Sequence, residues 1–483
     1  MLSTLLIFVP IAGALVTWLL PWRSGRQALF FALLVAAAEL GLWIAAVSTF
    51  DYGTPGLQFE TEAVWSSDLG ISYKVGAYGF SLWLIGLTVG VGFAAIAYAL
   101  RAGREKGRAY AGLLLLLVGA TVGVFLAQDL VVFYAFFEAM LIPLYVLIDV
   151  WGGPNSRVAT IKFLIYTMAG SLLMLVAVVA LGLSQGTFDL TEMGTSGSLA
   201  MFLGFAIAFG IKAPLWPFHG WLPDAYRQAS PEVAALLSGV ISKTAAYGFL
   251  RIAIPIFPEP TATMRDTILA LATIGLVYGS LLAFRQPDFR GVIAYSSLAQ
   301  MSLIVIGLFA INDSGINGAI LQMVNHGLIS AALFFLAGCI ESRTQTDAFA
   351  SLGGMAKGRP ILATVLITLG VIALAVPGSS AFAAEFLVLN GIFTIGWGWA
   401  VVGAIAIVLA AMYMLRAISA VLHGRRGSAV DDRQRDLRPG ELAVLLPLVA
   451  TLLFLSFWPA AVTDRNFPGE PGATVSSGFE ETP

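Results

Sequence analysis

Five ionisable side chains lie inside long apolar stretches of this sequence. They are Glu138, Lys212, Lys243, His326 and Glu385. An ionisable group at the centre of a bilayer costs at least ~2.5–3.5 kcal/mol, so each of them needs an explanation. One buried Lys–Glu pair can serve simply to hold a helix bundle together. A set of five titratable groups is instead typical of a proton relay.

The depths of these groups agree with one another. Glu138, Lys212, Lys243 and His326 lie about nine to twelve residues into their apolar spans. At a rise of about 1.5 Å per residue, that depth is near the middle of a hydrocarbon core roughly 30 Å thick. Groups at one depth on different helices define a line within the membrane plane.

Two of the spans contain residues that interrupt helices. The seventh span contains Pro214 and Pro217, and the twelfth contains Pro377 and Gly378. Proline frees backbone carbonyls, which is tolerable at membrane depth only inside packed protein or beside a watered cavity. A kinked packing helix is the simpler alternative at either site. Because the two breaks lie five spans apart, they predict discontinuous helices 7 and 12 within an inverted repeat of spans 4–8 and 9–13.

The elements that position these residues must be membrane helices. Of 483 residues, 58% are hydrophobic and 11% are charged, and the mean hydropathy is +0.88. These values lie far outside the range of soluble proteins, and apolar runs of about 18 residues or more recur from end to end. A membrane barrel would require short alternating segments, which are absent from the sequence. The prediction is an all-α, polytopic membrane protein.

Hydropathy predicts about fourteen spans in a single transmembrane domain over 1–462, if glycine, proline and charged residues are taken to mark the ends of the spans. The first repeat occupies 110–256, the second occupies 267–422, and a short polar tail follows at 463–483. The predicted spans are 2–20, 27–50, 77–100, 110–127, 129–150, 160–184, 200–222, 234–256, 267–284, 292–311, 316–340, 360–395, 398–422 and 440–461.

Positive charge falls on every second loop. Arg101, Arg104 and Lys106 mark one basic loop, whereas the preceding loop carries mainly acidic residues such as Glu60 and Glu62. Because basic loops remain cytoplasmic, both termini and the polar tail are predicted to lie outside. The basic residues follow the first apolar run and do not precede it, which favours a retained first helix over a signal peptide.

Composition also argues against several other functions. A net charge of -2, without a long Lys/Arg cluster, argues against nucleic acid as a partner. The single Cys339 excludes a disulfide framework and any iron–sulfur cluster held by this chain alone. Of the three histidines, His219 and His423 fall toward span ends, so they are poorly placed as paired haem ligands. No metal site is predicted.

The residues around these charges resemble a known family. The segment 133–145 around Glu138 resembles the fifth-helix motif of the M-type antiporter-like subunits (chain 4) of NADH:quinone oxidoreductase, respiratory complex I. The resemblance covers roughly residues 105 to 420, and it extends to segments 212–225, 237–248, 292–297 and 324–328.

The charged residue in the twelfth span distinguishes the members of this superfamily. L-type, N-type and Mrp-type subunits carry a lysine there, whereas M-type subunits carry a glutamate, and Ala383-Ala-Glu385-Phe-Leu is similar to the M-type pattern. The short stretch after the fourteenth span also favours the M type, because an L-type subunit would add a long lateral helix.

The resemblance implies a path for protons. Glu138 would lie close to Lys212, and separation of the pair would drive a proton from Lys212 to Lys243. His326 and water molecules would pass the proton to Glu385, which would release it outside.

The resemblance also implies where the other chemistry occurs. NADH, FMN, iron–sulfur clusters and quinone are expected on other subunits, with no cofactor and no redox step on this chain. The expected partners are the L-type and N-type antiporter-like subunits of the membrane arm and the lipid bilayer. The expected location is the bacterial cytoplasmic membrane.

Two segments depart from the family pattern. Ser297-Leu-Ala-Gln300 has glutamine where the family usually has histidine, and glutamine cannot take up a proton. A relay through this point must therefore use water or the neighbouring His326. The segment Tyr226-Arg-Gln-Ala-Ser-Pro231-Glu232 replaces a family motif, so family roles cannot be carried over to that loop.

Three other functions are compatible with the same fold. An Mrp-type cation/proton antiporter subunit is one, although Glu385 speaks against it. A structural spacer that does not conduct protons is another. The third is the membrane subunit of a related hydrogenase or dehydrogenase complex, because the electron donor is chosen by other subunits.

Overall fold

The computed structural model of the chain describes residues 1–467. Most of the polar tail predicted at 463–483 lies outside the described residues. Within the described residues, twelve helices are long and apolar enough to cross a membrane. The prediction of a helical, polytopic membrane protein is therefore confirmed.

The helices are numbered here in chain order. Their bounds are α1 Leu2–Leu19, α2 Gly25–Thr49, α3 Gly79–Ala102, α4 Gly107–Leu126, α5 Leu130–Ala139, α6 Leu141–Trp151, α7 Ser156–Gln185, α8 Leu199–Lys212, α9 Leu222–Gln228, α10 Pro231–Ile256, α11 Pro258–Arg285, α12 Phe289–Phe309, α13 Asp313–Thr344, α14 Pro360–Ala373, α15 Ser380–Ile395, α16 Trp397–Leu422, α17 Pro439–Phe457 and α18 Ala460–Thr463.

Two helices form the centre of the bundle. In α10 and in α13, the central apolar window of 18 residues is wholly buried, whereas only 22% of the corresponding window of α2 is buried. A helix that is apolar on all sides can be surrounded by other helices, while a peripheral helix turns one face to lipid. The central position of α10 and α13 removes their polar side chains from both lipid and bulk water.

Small residues allow α2 and α4 to approach each other closely. A Cβ atom added to Gly107 at the start of α4 would lie 2.8 Å from the carbonyl oxygen of Gly25 at the start of α2. Small residues at helix crossings are common in membrane bundles, because packing and not the hydrophobic effect drives their association.

One loop of this helical fold contains a short β-hairpin. Strands β1 (Gln58–Ser66) and β2 (Ile71–Ala77) form an antiparallel hairpin between α2 and α3. In β2, Ile71, Tyr73 and Val75 alternate with more polar residues, which is a sequence pattern typical of strands. A hydropathy window long enough to detect membrane helices averages this alternation away.

Two helices are interrupted near their middle. α8 ends at Lys212, and α9 begins at Leu222 after a 3₁₀ turn. α14 ends at Ala373, and α15 begins at Ser380 after a turn in which Gly378 has a left-handed φ of 95°. If each interrupted pair crosses the membrane once, the chain has about fourteen spans. That count, the single domain over 1–462 and the inverted repeats remain predictions.

Three other helices differ from the predicted spans. The predicted span 129–150 is divided at Met140 into α5 and α6. α10 contains two π-helical segments, Leu237–Ile241 and Phe249–Ala253. α11 begins at Pro258 and not near residue 267, because Pro258 can occupy the first turn of a helix without losing a bond.

Candidate functional site

Lys212 is the last residue of α8, and its side chain is buried. Its Nζ atom donates a hydrogen bond to the carbonyl oxygen of Phe137 at 2.9 Å. The same atom lies 3.5 Å from the centre of the Phe137 ring, where the face of the ring attracts a cation. The helix ends here because Pro214 follows two residues later, so the ammonium lies at the interruption between α8 and α9.

Glu138 is adjacent to this contact, near the end of α5. It is partly buried, and its Oε1 atom has no hydrogen-bond partner among residues 1–467. The structure therefore brings Glu138 and Lys212 together as neighbours, but the ammonium contacts the carbonyl of the preceding residue and not the carboxylate. Contact between the ammonium and the carboxylate requires one of the two side chains to move.

Lys243 lies in α10 and is fully buried. Its Nζ atom donates to the carbonyl oxygen of Ser238 at 2.5 Å, and it lies 3.3 Å from the hydroxyl of Ser242. Ser238 belongs to the first π-helical segment of α10. Such segments shift the backbone hydrogen-bond pattern and are frequent at functional sites. The unusual backbone thus supplies an acceptor to the ammonium.

His326, in α13, continues the contact made by Lys243. Its Nδ1 atom lies 2.8 Å from Nζ of Lys243, and its Nε2 atom lies 3.3 Å from the hydroxyl of Ser297. A lysine ammonium can only donate, so Nδ1 of a neutral ring accepts from it and Nε2 carries the hydrogen. Ser297 in turn lies 2.9 Å from the hydroxyl of Ser238. These four side chains form one connected cluster.

Glu385 lies in α15, with a relative exposure of 2%. Its Oε1 atom accepts from Nε2 of Gln300 at 3.2 Å, and Oε1 of Gln300 accepts from Nε2 of Gln322 at 2.6 Å. The two amides thus form a chain with a fixed direction that ends on the carboxylate. The second carboxylate oxygen, Oε2, has no partner in the part of the chain that the structure describes.

A small cavity separates His326 from Glu385. Its volume is about 20 Å³, and its lining includes Ser296 and Tyr413 as well as Gln300. A volume above roughly 10–15 Å³ can hold one water molecule if polar partners are present. The cavity therefore provides the space through which His326 and Glu385 can exchange a proton.

Lys212 and Lys243 are not joined by hydrogen bonds, unlike Lys243 and His326. Within residues 1–467, no hydrogen bond links the Lys212 cluster to the Lys243 cluster. The ring of Phe209 on α8 packs against Gly248 of α10, and the rings of Phe209 and Phe249 meet edge to face at 5.4 Å. Among the described residues, the predicted row therefore consists of two clusters with no hydrogen bond between them.

The interruptions that the sequence predicts lie beside these clusters. Pro214 and Pro217 occupy the turn that follows Lys212, and Pro377 and Gly378 occupy the turn before α15. The hydroxyl of Ser379 accepts from the backbone N–H of Phe382 and so caps the helix that carries Glu385. The turn thus fixes the start of the helix on which Glu385 lies.

Sequence reasoning missed several polar groups. Glu39 in α2 is fully buried, and neither of its carboxylate oxygens has a partner within residues 1–467. The cost of burying a charge could have identified it, as it did the other five. Ser238, Ser297 and Tyr413 give no such signal, because neutral hydroxyl groups are common in apolar helices.

The segment 226–232, which departs from the family pattern, contributes to the lining of a polar cavity of about 490 Å³. Glu232 is fully buried, and it accepts from Arg104 at 2.5 and 2.7 Å and from the hydroxyl of Tyr110 at 2.8 Å. Two further ion pairs occur among the residues that line this cavity: Arg227 with Asp288 at 2.8 Å and Arg290 with Glu341 at 2.6 Å. The unusual Glu232 is thus compensated by Arg104.

These features can be compared with known proteins. The profile of the family described as NADH:quinone oxidoreductase/Mrp antiporter, TM, matches residues 127–412, more than half of the chain. The chain belongs to this family. The matched range includes all five predicted site residues, from Glu138 to Glu385. Tyr413 lies immediately beyond it.

Curated members of the family are similar over almost the whole chain. NADH-quinone oxidoreductase subunit M of Rhodobacter capsulatus is 36% identical over 97% of this chain and 95% of its own length. An NAD(P)H-quinone oxidoreductase chain 4 of Synechococcus elongatus is 35% identical over 95% of this chain and 88% of its own length.

Two solved structures have the same fold as this chain. A chain of respiratory complex I from Thermus thermophilus superposes with a TM-score of 0.88 at 30% identity, covering 97% of this chain and 98% of that chain. A chain of the Mrp complex from Dietzia superposes with a TM-score of 0.87, covering 99% of this chain and 97% of that chain. Its identity is 21%, so this second similarity concerns the fold alone.

Proposed function

We propose that this chain is the proton-translocating M-type membrane subunit of an NADH:quinone oxidoreductase. The observation that carries the proposal is the buried cluster of Lys243, His326 and Ser297, which leads through a small cavity to Glu385. Relatives named subunit M and chain 4 are similar over nearly their whole length. The low identity to an Mrp chain gives less support to a cation antiporter.

Proton movement begins at Lys212 in this proposal. Its ammonium rests on the carbonyl of Phe137, next to the Glu138 carboxylate. Contact with the carboxylate stabilises the charged amine, and loss of that contact favours release of the proton. The division between α5 and α6 at Met140 follows Glu138 by two residues, so movement at this division changes the distance between the two charges.

The next transfer takes place inside the second cluster. The distance of 2.8 Å between Nζ of Lys243 and Nδ1 of His326 allows direct proton transfer. The ring then releases a proton from Nε2, the side that faces Ser297. Glu385 receives it and releases it outside. Each group therefore gains and loses one proton in a cycle.

The gap in the hydrogen-bond network between the two clusters limits a leak. Within the described residues, no hydrogen bond joins the Lys212 cluster to the Lys243 cluster. A proton passes only when the helices move or water enters, which couples transfer to a change in conformation. A structural spacer would have no use for titratable groups in both clusters.

The remaining parts of the proposal concern the assembly. NADH, FMN, iron–sulfur clusters and quinone are placed on other subunits, and the neighbours of this chain are L-type and N-type antiporter-like subunits. The chain lies in a bacterial cytoplasmic membrane with both termini outside and about fourteen spans in two inverted repeats. The alternation of basic loops and the two interrupted helices support this arrangement.

Proton uptake by the reconstituted complex tests the proposal. We expect Glu138→Gln to assemble, because the amide has nearly the same size, and to lower NADH-driven proton uptake at least ~10-fold. Glu259→Gln, an exposed carboxylate at the start of α11, serves as the matched control. If Glu138→Gln takes up protons as fast as wild type, the chain is a spacer and the proposal is wrong.

A further inference from the structure

A wide groove lies on the outside of the bundle, where α1 ends and α2 begins. Its volume is about 900 Å³, and its lining comes from the loop 21–24, from the first three turns of α2 and from Leu100 of α3. This volume is in the upper part of the range of pockets that bind organic ligands. None of the five buried ionisable groups lines the groove, so the proposed proton path does not account for it.

The loop at one end of the groove is held in place by its own contacts. The indole Nε1 of Trp22 donates to the carbonyl oxygen of Thr17 at 2.9 Å, and the Trp22 ring lies 5.2 Å from the ring of Phe31. The hydroxyl of Ser24 accepts from the backbone N–H of Gln27 at 3.3 Å and so caps the start of α2. The groove is therefore preformed.

Two arginines line the groove without a carboxylate partner. Arg23 and Arg26 are both exposed, and neither forms an ion pair within residues 1–467. By contrast, Arg104 on the next basic loop is paired with Glu232. A guanidinium group presents a planar fork of donors that matches the oxygens of a phosphate. The two arginines together therefore favour an anionic ligand that contains phosphate.

The rest of the groove is largely apolar and extends along the span. Phe30 and Leu34 follow Arg26 along α2, and each is 54% exposed. Leu34 lies eight residues beyond Arg26, which is about 12 Å further along the helix axis. Among the twelve candidate spans of the described chain, α2 is the least buried, with 22% of its window buried. In a bilayer, hydrocarbon chains can cover such an apolar face.

The order of these features along α2 matches the order of the parts of a phospholipid. Tryptophan is enriched at the membrane–water interface, so Trp22 marks the depth of the headgroups. Arg23 and Arg26 lie at this depth, and the apolar lining follows toward the middle of the span. Their loop is predicted to be cytoplasmic, and the cytoplasmic surface of a membrane is negatively charged. Basic pockets between membrane helices on this side bind anionic headgroups.

We propose that this groove binds one anionic phospholipid, whose phosphate contacts Arg23 and Arg26 and whose acyl chain lies along Phe30 and Leu34. A zwitterionic lipid binds less tightly, because it carries no net negative charge. Free phosphate would leave the apolar lining uncovered. The site is independent of the proton path, since neither arginine belongs to the buried row.

Photocrosslinking in the assembled complex tests the site. The complex is reconstituted in phosphatidylcholine vesicles with a small fraction of phosphatidylglycerol that carries a diazirine on its acyl chain, and mass spectrometry of peptic peptides locates the label. We expect label in segment 27–34, and roughly tenfold less in Arg23→Gln/Arg26→Gln. Arg285→Gln/Arg425→Gln removes two exposed arginines outside the groove and should label as wild type does. Wild-type labelling of Arg23→Gln/Arg26→Gln would overturn the proposal.

Competition in the wild-type complex tests the selectivity without any substitution. Replacing part of the phosphatidylcholine by unlabelled phosphatidylglycerol should lower the labelling of segment 27–34, whereas phosphatidylethanolamine should not. Equal competition by the two lipids would show that the groove accepts any lipid, and the proposal would be wrong. Label in other segments but not in this one would show that another subunit covers the groove, which also overturns the proposal.

A charge-conserving variant separates attraction from a change in local structure. Arg23→Lys/Arg26→Lys keeps both positive charges but not the planar forks, so its labelling should fall between that of wild type and that of Arg23→Gln/Arg26→Gln. If the lysine and glutamine variants lose labelling equally, charge does not hold the lipid and the proposal fails.

Discussion

At the scale of single residues, Glu385 is held in a way that suits a proton carrier. Gln300 binds one carboxylate oxygen, and the other has no partner among residues 1–467. A purely structural carboxylate would be expected to have both oxygens bonded, because buried polar groups are normally satisfied. The free oxygen is therefore the expected site of proton uptake and release.

Substitution of Glu385 gives a graded prediction. Glu385→Gln keeps the size and the bond from Gln300, so the complex should assemble, but proton uptake should fall at least ~10-fold. Glu385→Lys should retain more uptake than Glu385→Gln, because an amine can still bind and release a proton. Uptake into proteoliposomes measures both. Equal uptake by Glu385→Gln and wild type would reduce Glu385 to a packing residue.

How much of the site the sequence predicts depends on the cost of burial. Lys212, Lys243 and Glu385 can be identified because a charge in an apolar span is costly and needs a reason. Ser297 and Tyr413 cannot, because a hydroxyl in a helix is easily satisfied and leaves no trace in composition. The contact of Lys212 with the Phe137 carbonyl also escapes prediction, because it depends on the angle between helices.

At the scale of elements, an ion pair helps to fix the hairpin to the rest of the fold. Nζ of Lys74 on β2 lies 2.6 Å from Asp189, in the loop after α7, and 3.2 Å from Glu60. Burial alone would lower the pKa of Lys74, but its bonds to Asp189 and Glu60 raise it above 10.5. Burial would raise the pKa of Asp189, but bonds from Lys74 and Thr191 lower it below 3.8.

The signs of these shifts define a pH range. The contribution of Asp189 is complete above pH 3.8 and is lost as pH falls through its lowered pKa. The contribution of Lys74 is complete below pH 10.5 and is lost as pH rises through its raised pKa. We therefore expect the contribution of this ion pair to stay constant between these two values.

Asp189→Asn should loosen the hairpin at neutral pH. A hydrogen bond to a charged group contributes about 1.5–3 kcal/mol, so amide hydrogen exchange over β1 and β2 should become roughly tenfold faster or more. Mass spectrometry of the detergent-solubilised protein measures this exchange. Glu192→Gln, in the same loop, is the control. Unchanged exchange in Asp189→Asn would show that packing, and not the ion pair, holds the hairpin.

The elements also differ in how well the sequence predicts them. Long helices are found by hydropathy because crossing the membrane demands about 20 apolar residues. The π-helical segments of α10 cannot be found in this way, since Leu237–Ile241 has the composition of an ordinary helix. The hairpin is missed because its strands of 9 and 7 residues are shorter than a membrane span.

At the scale of the whole molecule, the alternation of charged loops predicts the orientation. Exposed sites can be chosen from the structure so that no buried ion pair is broken. Glu105 and Glu62 are exposed, on a basic and an acidic loop respectively, and the buried Cys339 can be replaced by alanine. A cysteine at Glu105 should react with an impermeant reagent only from the cytoplasmic side, and one at Glu62 only from outside. Reversed labelling would contradict the orientation.

The division of the buried charges into two clusters also belongs to this scale. Glu138 and Lys212 form one cluster, Lys243 and His326 belong to the other, and no hydrogen bond joins the two clusters within the described residues. A static wire would conduct in both directions and dissipate the gradient. The interruption means that transfer depends on movement, which other subunits of a complex can impose.

NADH-driven proton uptake per quinone reduced, in reconstituted complex carrying Lys243→Met, tests the central claim most directly. Methionine keeps the length of the side chain but cannot titrate, so the variant should assemble and its uptake should fall at least ~10-fold. Lys162→Met, which removes a partly exposed lysine paired with Asp224 at 2.8 Å, should pump as wild type does. A wild-type ratio of protons to quinone in Lys243→Met would contradict proton conduction through this chain's buried row.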